Sequence, residues 1–370
     1  MAGQPRVVFF GAAGYTGRLA ARAAADRGMP FAIAGRDRAR LEALRQELPG
    51  EPEVIVADAR NPASLRDVAR GASVVCSTAG PFTELGAPVV EACLEANAHY
   101  LDTTGEQRWV GACLDHYGDQ AAERGVVLGP SMAYEVAVAD CAAAVAARGM
   151  DQVEEVIIAY AVHRFDLSRG TKLSVLRAIQ DPGWQWEAGA RHPESPGSDV
   201  RHAVLPEPVG PRSLVLFSSP EAVTVPRHVR AERVRTYVAV HDKLGPMLAL
   251  TAPRLPGLLS SPLGRWARSA VEHMPRGPEE QRRKSARSMV IAVARAKDGA
   301  ARSVVVRLED IYGLSAEILV IGASNLVDGG IEPGFRAPCE VAKDPAAFLQ
   351  LLAARGARTE MVEADVLAGR

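Results

Sequence analysis

Over the first 132 residues, short β-branched or apolar runs alternate with alanine- and leucine-rich stretches whose apolar positions recur at helical spacing. The pattern predicts strands at 7–10, 31–34, 54–57, 73–77, 99–102 and 126–129. Helices are expected between them at 17–27, 38–47, 62–69, 87–96 and 109–124. Strands separated by helices of that length need crossover connections, so the fold class is α/β with an N-terminal Rossmann-type, doubly wound parallel sheet.

After a helical stretch at 138–148 the pattern changes. Runs such as "VEEVIIAYAVH", "RSLVLFS", "VRTYVAVH", "SMVIAVARA" and "RSVVVRLED" are longer and partly alternating, and Asp298-Gly299 separates the last two like a hairpin turn. They predict a second, α+β domain on a largely antiparallel sheet, interrupted by a helix at 171–179. Residues 182–211 and 245–278 are rich in Pro, Gly and Ser and are expected as long functional loops. Helices at 314–326 and 345–355 and a strand at 359–363 close the chain. The expected division is 1–132 for nucleotide binding, 133–313 for substrate and dimerisation, and 314–370 returning to the first domain.

Composition narrows this picture. A chain of 370 residues, 48% apolar and 24% charged, has ample length for two cores, and a net charge of −1 gives no reason to expect a nucleic-acid partner. The apolar run at the N-terminus is too short for an export signal, so a cytoplasmic location is expected. The most lipid-like stretch, 246–267, carries Arg254, Arg265 and several prolines, and no transmembrane segment is expected. Cys76, Cys93, Cys113, Cys141 and Cys339 are scattered without C-x-x-C spacing, which predicts reduced thiols rather than a disulfide frame or a zinc site. No histidine pair has ligand spacing, and no metal is expected.

The first candidate for chemistry is "GAAGYTG". Gly11, Gly14 and Gly17 follow the first strand and open the first helix, as a turn needs if backbone is to approach a diphosphate at a helix N-terminus. Gly11, Ala13, Gly14, Tyr15, Thr16 and Gly17 are therefore candidate cofactor contacts. Arg36 follows the second strand, near the place where NAD-specific folds carry an acid for the ribose hydroxyls, and a cation there suits a 2′-phosphate, which points to NADP(H). Arg38 and Arg40 have the spacing of a solvated helix face. Asp58 ends the third strand, either reaching the adenine edge or standing as an N-cap-like residue before the next helix. Ala79, Gly80, Pro81 and Phe82 form a side-chain-poor corner after the fourth strand, at the same edge of the sheet.

"GAAGYTGR", "AGRDRARL", "STAGPF…GAPVVEACLEANAHYLDTTGE" and "GGIEPGFRAPCEV" together resemble the saccharopine dehydrogenase-like oxidoreductases, including the branch of trans-acting enoyl reductases in bacterial lipid and polyketide pathways. The resemblance is tightest over roughly the first 110 residues. It implies an NADP-binding Rossmann domain, a second α/β domain covering the nicotinamide, and a homodimer. The chain departs from the family at "AYEVAVAD" (133–140), which lacks the usual glycine and proline, and at "SRGTKLS" (168–174), where Arg169 replaces a glycine.

A reductase of this build needs a donor for the charge that develops on the acceptor. Tyr134, at the junction after the last Rossmann strand, is the first candidate, with a buried packing tyrosine as the alternative. Asp102 and Glu106, with Thr103 and Thr104 in "LDTTGE", either position the nicotinamide or substrate or cap helices. His163 and Arg164 end the first strand of the second domain and suit a carboxylate or a phosphopantetheine, or a structural role. "QRRKSAR" (281–287) suits an acidic carrier protein or is a solvated loop. No G-x-S-x-G elbow occurs, and no Tyr-x-x-x-Lys pair lies in the Rossmann half. The expected reaction is NADPH-dependent reduction of a polarised C=C in an enoyl-type biosynthetic intermediate, free or carrier-bound. C=N reduction of the saccharopine type and non-catalytic NADP binding are the alternatives.

Overall fold

A computed structural model describes residues 6–368, apart from 164–166, 181–182, 246, 248–250, 252–256, 258, 260 and 276. The chain divides into two compact units, one of residues 1–137 and 312–343, the other of residues 138–311 and 344–370. Of the C-terminal stretch 314–370, the part up to Lys343 thus lies in the first unit and the remainder in the second.

The first unit contains β1 (Val7–Phe10), α1 (Tyr15–Asp26), β2 (Phe31–Gly35), α2 (Arg38–Glu47), β3 (Glu53–Val56), α3 (Pro62–Ala69), β4 (Val74–Ser77), α4 (Phe82–Ala96), β5 (His99–Asp102), α5 (Gln107–Ala112), α6 (Gly118–Glu123) and β6 (Val127–Gly129). A π-helical turn, Cys113–Tyr117, joins α5 to α6 where a single helix at 109–124 is expected. All pairings are parallel, in the order β6-β5-β4-β1-β2-β3, with the short strand Gly334–Phe335 added beside β6. The order reverses between β1 and β4, and in such sheets the crevice beyond the strand ends at the reversal is where ligands bind. Helix α1 buries Gly17, Ala20, Ala21, Ala23 and Ala24, small side chains that let a helix lie close on a sheet.

Helix α7 (Tyr134–Ala147) contains the boundary between the units. The second unit holds β7 (Val153–His163), α8 (Arg169–Gln180), β8 (Gly183–Glu187), β9 (Ala190–Glu194), β10 (Val200–Leu205), β11 (Gly210–Leu216), α9 (Glu221–Thr224), β12 (Ala231–Val240), α10 (Pro262–Glu272), β13 (Arg287–Ala296), β14 (Ala301–Glu309) and an edge strand, Arg358–Val362. The sheet is mixed and mostly antiparallel, the exception being the parallel pair β7 and β12. Its core gathers Ile157, Leu214, Tyr237, Ile291 and Val305.

Within the stretch expected as a loop at 182–211, Gly183–Glu187, Ala190–Glu194 and Val200–Leu205 form strands, and β11 begins at Gly210. Ala188 and Gly189, both at positive φ, make a tight turn between β8 and β9, and aromatic Trp184 and Trp186 favour an extended backbone. The stretch 245–278, also expected as a loop, contains α10. Among the described residues, no helix is long and apolar enough to cross a membrane.

Candidate functional site

The turn after β1 is held by two amides, Gly11 and Ala12, both donating to the Ala34 carbonyl (2.9 and 3.1 Å), and by the Gly14 amide donating to Gly11 O (2.8 Å). Gly11 has φ +81°, a region that disfavours side chains, and a Cβ there would lie 2.9 Å from Thr78 Oγ1. A Cβ on Gly17 would lie 2.4 Å from Gly11 O and 2.8 Å from the Ala12 Cα. The bare turn is therefore a steric requirement of packing β1, α1 and the end of β4 together. The N-cap of α1 is Gly14, so no side chain caps the first turn, and that turn holds no acid. Its amides and dipole are thereby disposed toward an anion. Ala13, Gly14, Tyr15 and Thr16 are only half-buried, and the Tyr15 ring meets Tyr312 edge-on at 5.1 Å.

Arg36 is exposed just beyond β2 and makes no hydrogen bond or ion pair among the described residues. Its neighbours are engaged: Arg38 pairs with Glu42 and Arg40 with Asp37. Asp37 also caps α2 by accepting from the Arg40 amide. A guanidinium left open beside a 2′-phosphate position fits NADP(H). Half-buried Asp58 folds back on its own turn, accepting from the Arg60 amide (2.9 Å), while Asn61 is the residue that caps α3. Ala79 and Pro81 are half-buried, Gly80 is exposed and Phe82 is buried, with a cis peptide between Gly80 and Pro81.

The two candidate acids each bind inside the first unit. Fully buried Asp102 accepts from the Tyr100 hydroxyl (2.9 Å), Trp109 Nε1 (2.7 Å) and the Thr104 and Ser131 amides (both 2.9 Å). Burial pushes its carboxyl up to about 6, and the four donors pull against that rise. The Asp102 carbonyl also accepts from the Met132 amide (2.7 Å), so this residue fixes the bend, with Ser131 at φ +66°, that leads into α7. Glu106 accepts from the amides of Phe82 (3.0 Å) and Thr83 (2.9 Å) and from the Thr83 hydroxyl. It supplies the cap that Pro81 cannot give to α4, so α4 begins at Phe82, ahead of the expected residue 87. Tyr134 opens α7, half-buried, with its amide donating to Ser315 Oγ (3.1 Å).

A further polar cluster lies inside the second unit. His228 Nε2 sits 2.9 Å from the fully buried carboxylate of Asp140. Glu221, also fully buried, accepts from the Tyr160 hydroxyl and from Thr236 Oγ1 (3.4 Å). Burial pushes the Glu221 carboxyl up, and the charge of Asp140 acts in the same direction. Sequence reasoning did not bring these residues together, because the partners come from separate elements and share no spacing. Arg164 and the side chain of His163 lie outside the described residues. In 281–287, Arg283 pairs with Asp310, Lys284 with Glu280 and Arg287 with Glu309.

A bare glycine turn at the switch point of a parallel sheet, with an open cation beyond the second strand, defines a dinucleotide-binding unit of the Rossmann class. Residues 7–128 match the family model of the saccharopine dehydrogenase NADP binding domain. This third of the chain is therefore similar to a domain that binds NADP, the cofactor that the open Arg36 also fits. A trans-acting enoyl reductase of Mycobacterium ulcerans is 39% identical over 124 residues, covering 32% of this chain and 30% of the relative. A saccharopine dehydrogenase-like oxidoreductase of Homo sapiens is 32% identical over 151 residues, covering 36% and 35%. The matched region thus spans about a third of those relatives. A solved structure of saccharopine dehydrogenase (L-Glu forming) from Saccharomyces cerevisiae shares the fold, with a TM-score of 0.61 and 13% identity over 97% of this chain and 99% of that one.

Proposed function

We propose that this chain is an NADPH-dependent reductase of a polarised C=C in an enoyl-type biosynthetic intermediate, free or carrier-bound, working as a cytoplasmic homodimer. The observation that carries the cofactor half of this reading is Arg36, open to solvent beyond β2 while Arg38 and Arg40 are paired. The resemblance to enoyl reductases over the nucleotide-binding residues supports the choice of substrate class.

When bound, the cofactor supplies a hydride from its nicotinamide. The first turn of α1 would hold the diphosphate, and Arg36 would hold the 2′-phosphate. Ala79, Gly80, Pro81 and Phe82 wall the site, and Glu106 positions them by clamping the start of α4. Asp58 would stand at the adenosine end. Tyr134 is the proposed donor that stabilises negative charge on the substrate oxygen, and Asp102 positions it through the Ser131–Met132 bend. Asp102 and Glu106 thus support the chemistry without touching reacting atoms. Residues 138–311, which make up most of the second unit, are assigned to substrate and dimer contacts.

Titration with NADPH and NADH, followed by NADPH oxidation with crotonyl thioester and with a 2-oxo acid plus an amine, tests the proposal. Arg36→Ala should weaken NADPH by about 10- to 100-fold and leave NADH unchanged, since a charge-assisted pair contributes roughly 1.5–3 kcal/mol. Equal loss for both nucleotides would remove Arg36 from its role. Tight NADPH binding without turnover of either substrate class would leave a non-catalytic NADP-binding protein.

A further inference from the structure

Helix α1 is tied at both ends to a helix from far downstream in the chain. At its start, the Tyr15 ring meets the Tyr312 ring edge-on, with centroids 5.1 Å apart and planes at 87°. At its end, the C-cap Arg27 donates from Nε (3.1 Å) and from one Nη (2.8 Å) to a single carboxylate oxygen of Glu317. Tyr312 and Glu317 stand on α11 (Ile311–Val327), which from Tyr312 onward is part of the first unit. Both are buried, whereas Tyr15 is only half-buried. A packed ring therefore backs one that is partly open, in the turn where the diphosphate would rest.

The position of α11 decides which half of a dinucleotide Tyr15 would meet. A Cβ on Gly322 of α11 would lie 3.2 Å from Leu101 Cδ1, on β5, and 2.7 Å from Met132 Cε, just past β6. The helix thus packs on the β5–β6 side of β1, while Arg36 stands beyond β2, on the opposite side in the strand order. A dinucleotide laid across the switch point has its diphosphate at the start of α1, its adenosine on the β2 side and its nicotinamide on the β4 side. The Tyr15 ring, drawn toward α11, therefore belongs with the nicotinamide half. A tyrosine at a helix start would otherwise exchange rotamers, and an edge-to-face partner removes that freedom before a ligand arrives.

We propose that Tyr312 is a positioning residue for the nicotinamide half of the cofactor: it sets the Tyr15 ring, and Tyr15 makes the contact. This rests on the NADPH-binding reading of the glycine turn and Arg36, and it adds a residue that lies in neither.

Calorimetric titration of the full chain with NADPH and with 2′,5′-ADP, which carries the adenosine half alone, tests this. Tyr312→Leu should weaken NADPH by about three- to tenfold and leave 2′,5′-ADP unchanged. Tyr312→Phe keeps the ring and should bind both ligands as the wild type does. Tyr15→Leu should show the same selective loss, and adding Tyr312→Leu to it should cost nothing more, because the second residue acts through the first. Thermal midpoints verify folding, and Tyr312→Met takes the place of Tyr312→Leu should the latter fail to fold. Equal loss of both ligands would make Tyr312 a residue of the fold alone and overturn the proposal. So would unchanged NADPH affinity, no rescue by Tyr312→Phe, or additive losses in the double variant. Arg36→Ala reads the underlying assignment separately: it should weaken both ligands, and if it weakens neither, the 2′-phosphate site falls while the selective loss at Tyr312 still supports its role.

Discussion

Trp109 donates its indole N–H to the buried carboxyl of Asp102 over 2.7 Å, and its ring occupies the space where Gly86 has no Cβ: a methyl there would lie 2.4 Å from the indole. One side chain thus fastens α5 to β5 and fills the groove beside α4. Trp109→Phe keeps most of the volume but strands the acid, so unfolding free energy should fall by about 2 kcal/mol, as for loss of a hydrogen bond to a charged group. Urea denaturation measures it.

Asp102 also sets a pH dependence. Its carboxyl in the folded chain sits near 6, above the unfolded value of 3.8, so the folded state holds the proton more tightly. Its contribution is complete below pH 4 and is lost as pH rises through 6, by about 3 kcal/mol. The readout is a difference between two proteins. Asp102→Asn should remove this falling component from a plot of urea midpoint against pH, and parallel curves for the two proteins would refute it.

Gly17 is a steric keystone. Gly17→Ala places a methyl against Gly11 O, and the shift needed to relieve it should cost about 1–3 kcal/mol, lowering the melting temperature by several degrees. NADPH affinity should fall at least tenfold with it, as followed by nucleotide fluorescence.

Tyr160 and Glu221 should act as a unit. Tyr160→Phe and Glu221→Gln are each expected to change stability, with a coupling energy of about 1–3 kcal/mol in the double-mutant cycle. Additive effects would mean that the hydroxyl and the carboxyl are energetically independent.

All five cysteines are buried, and burial raises the Cys76, Cys93 and Cys113 thiols above their usual range. Iodoacetamide should therefore leave the folded protein unlabelled and modify five thiols once it is denatured. A single rapidly labelled cysteine in the native state would contradict the packing of that residue.

The features readable in the sequence are those in which neighbours along the chain act on one another. The glycine turn, the parallel strands and the contrast between Arg36 and its paired neighbours each follow from a stretch of a dozen residues or so. The role of Glu106 was not readable in this way, because the amides it caps belong to Phe82 and Thr83, and no spacing rule links an acid to a helix that starts far upstream. The hairpin of β8 and β9 was hidden by its Pro, Gly and Ser content, although Ala188-Gly189 is the turn that makes it. The parallel pairing of β7 with β12 escaped for a related reason: alternation along a strand reports which face is buried, not which way its neighbour runs.

Gly334–Phe335 pairs with Val127–Leu128, so the nucleotide-binding sheet is finished by a strand that leaves the ribosome about two hundred residues after the one it joins. A gene fragment stopped near residue 132 would encode a sheet with an open flank, ready to recruit strands from other molecules. A soluble expression product for this half of the protein calls for a spliced design in which residues 312–343 are fused behind the N-terminal piece.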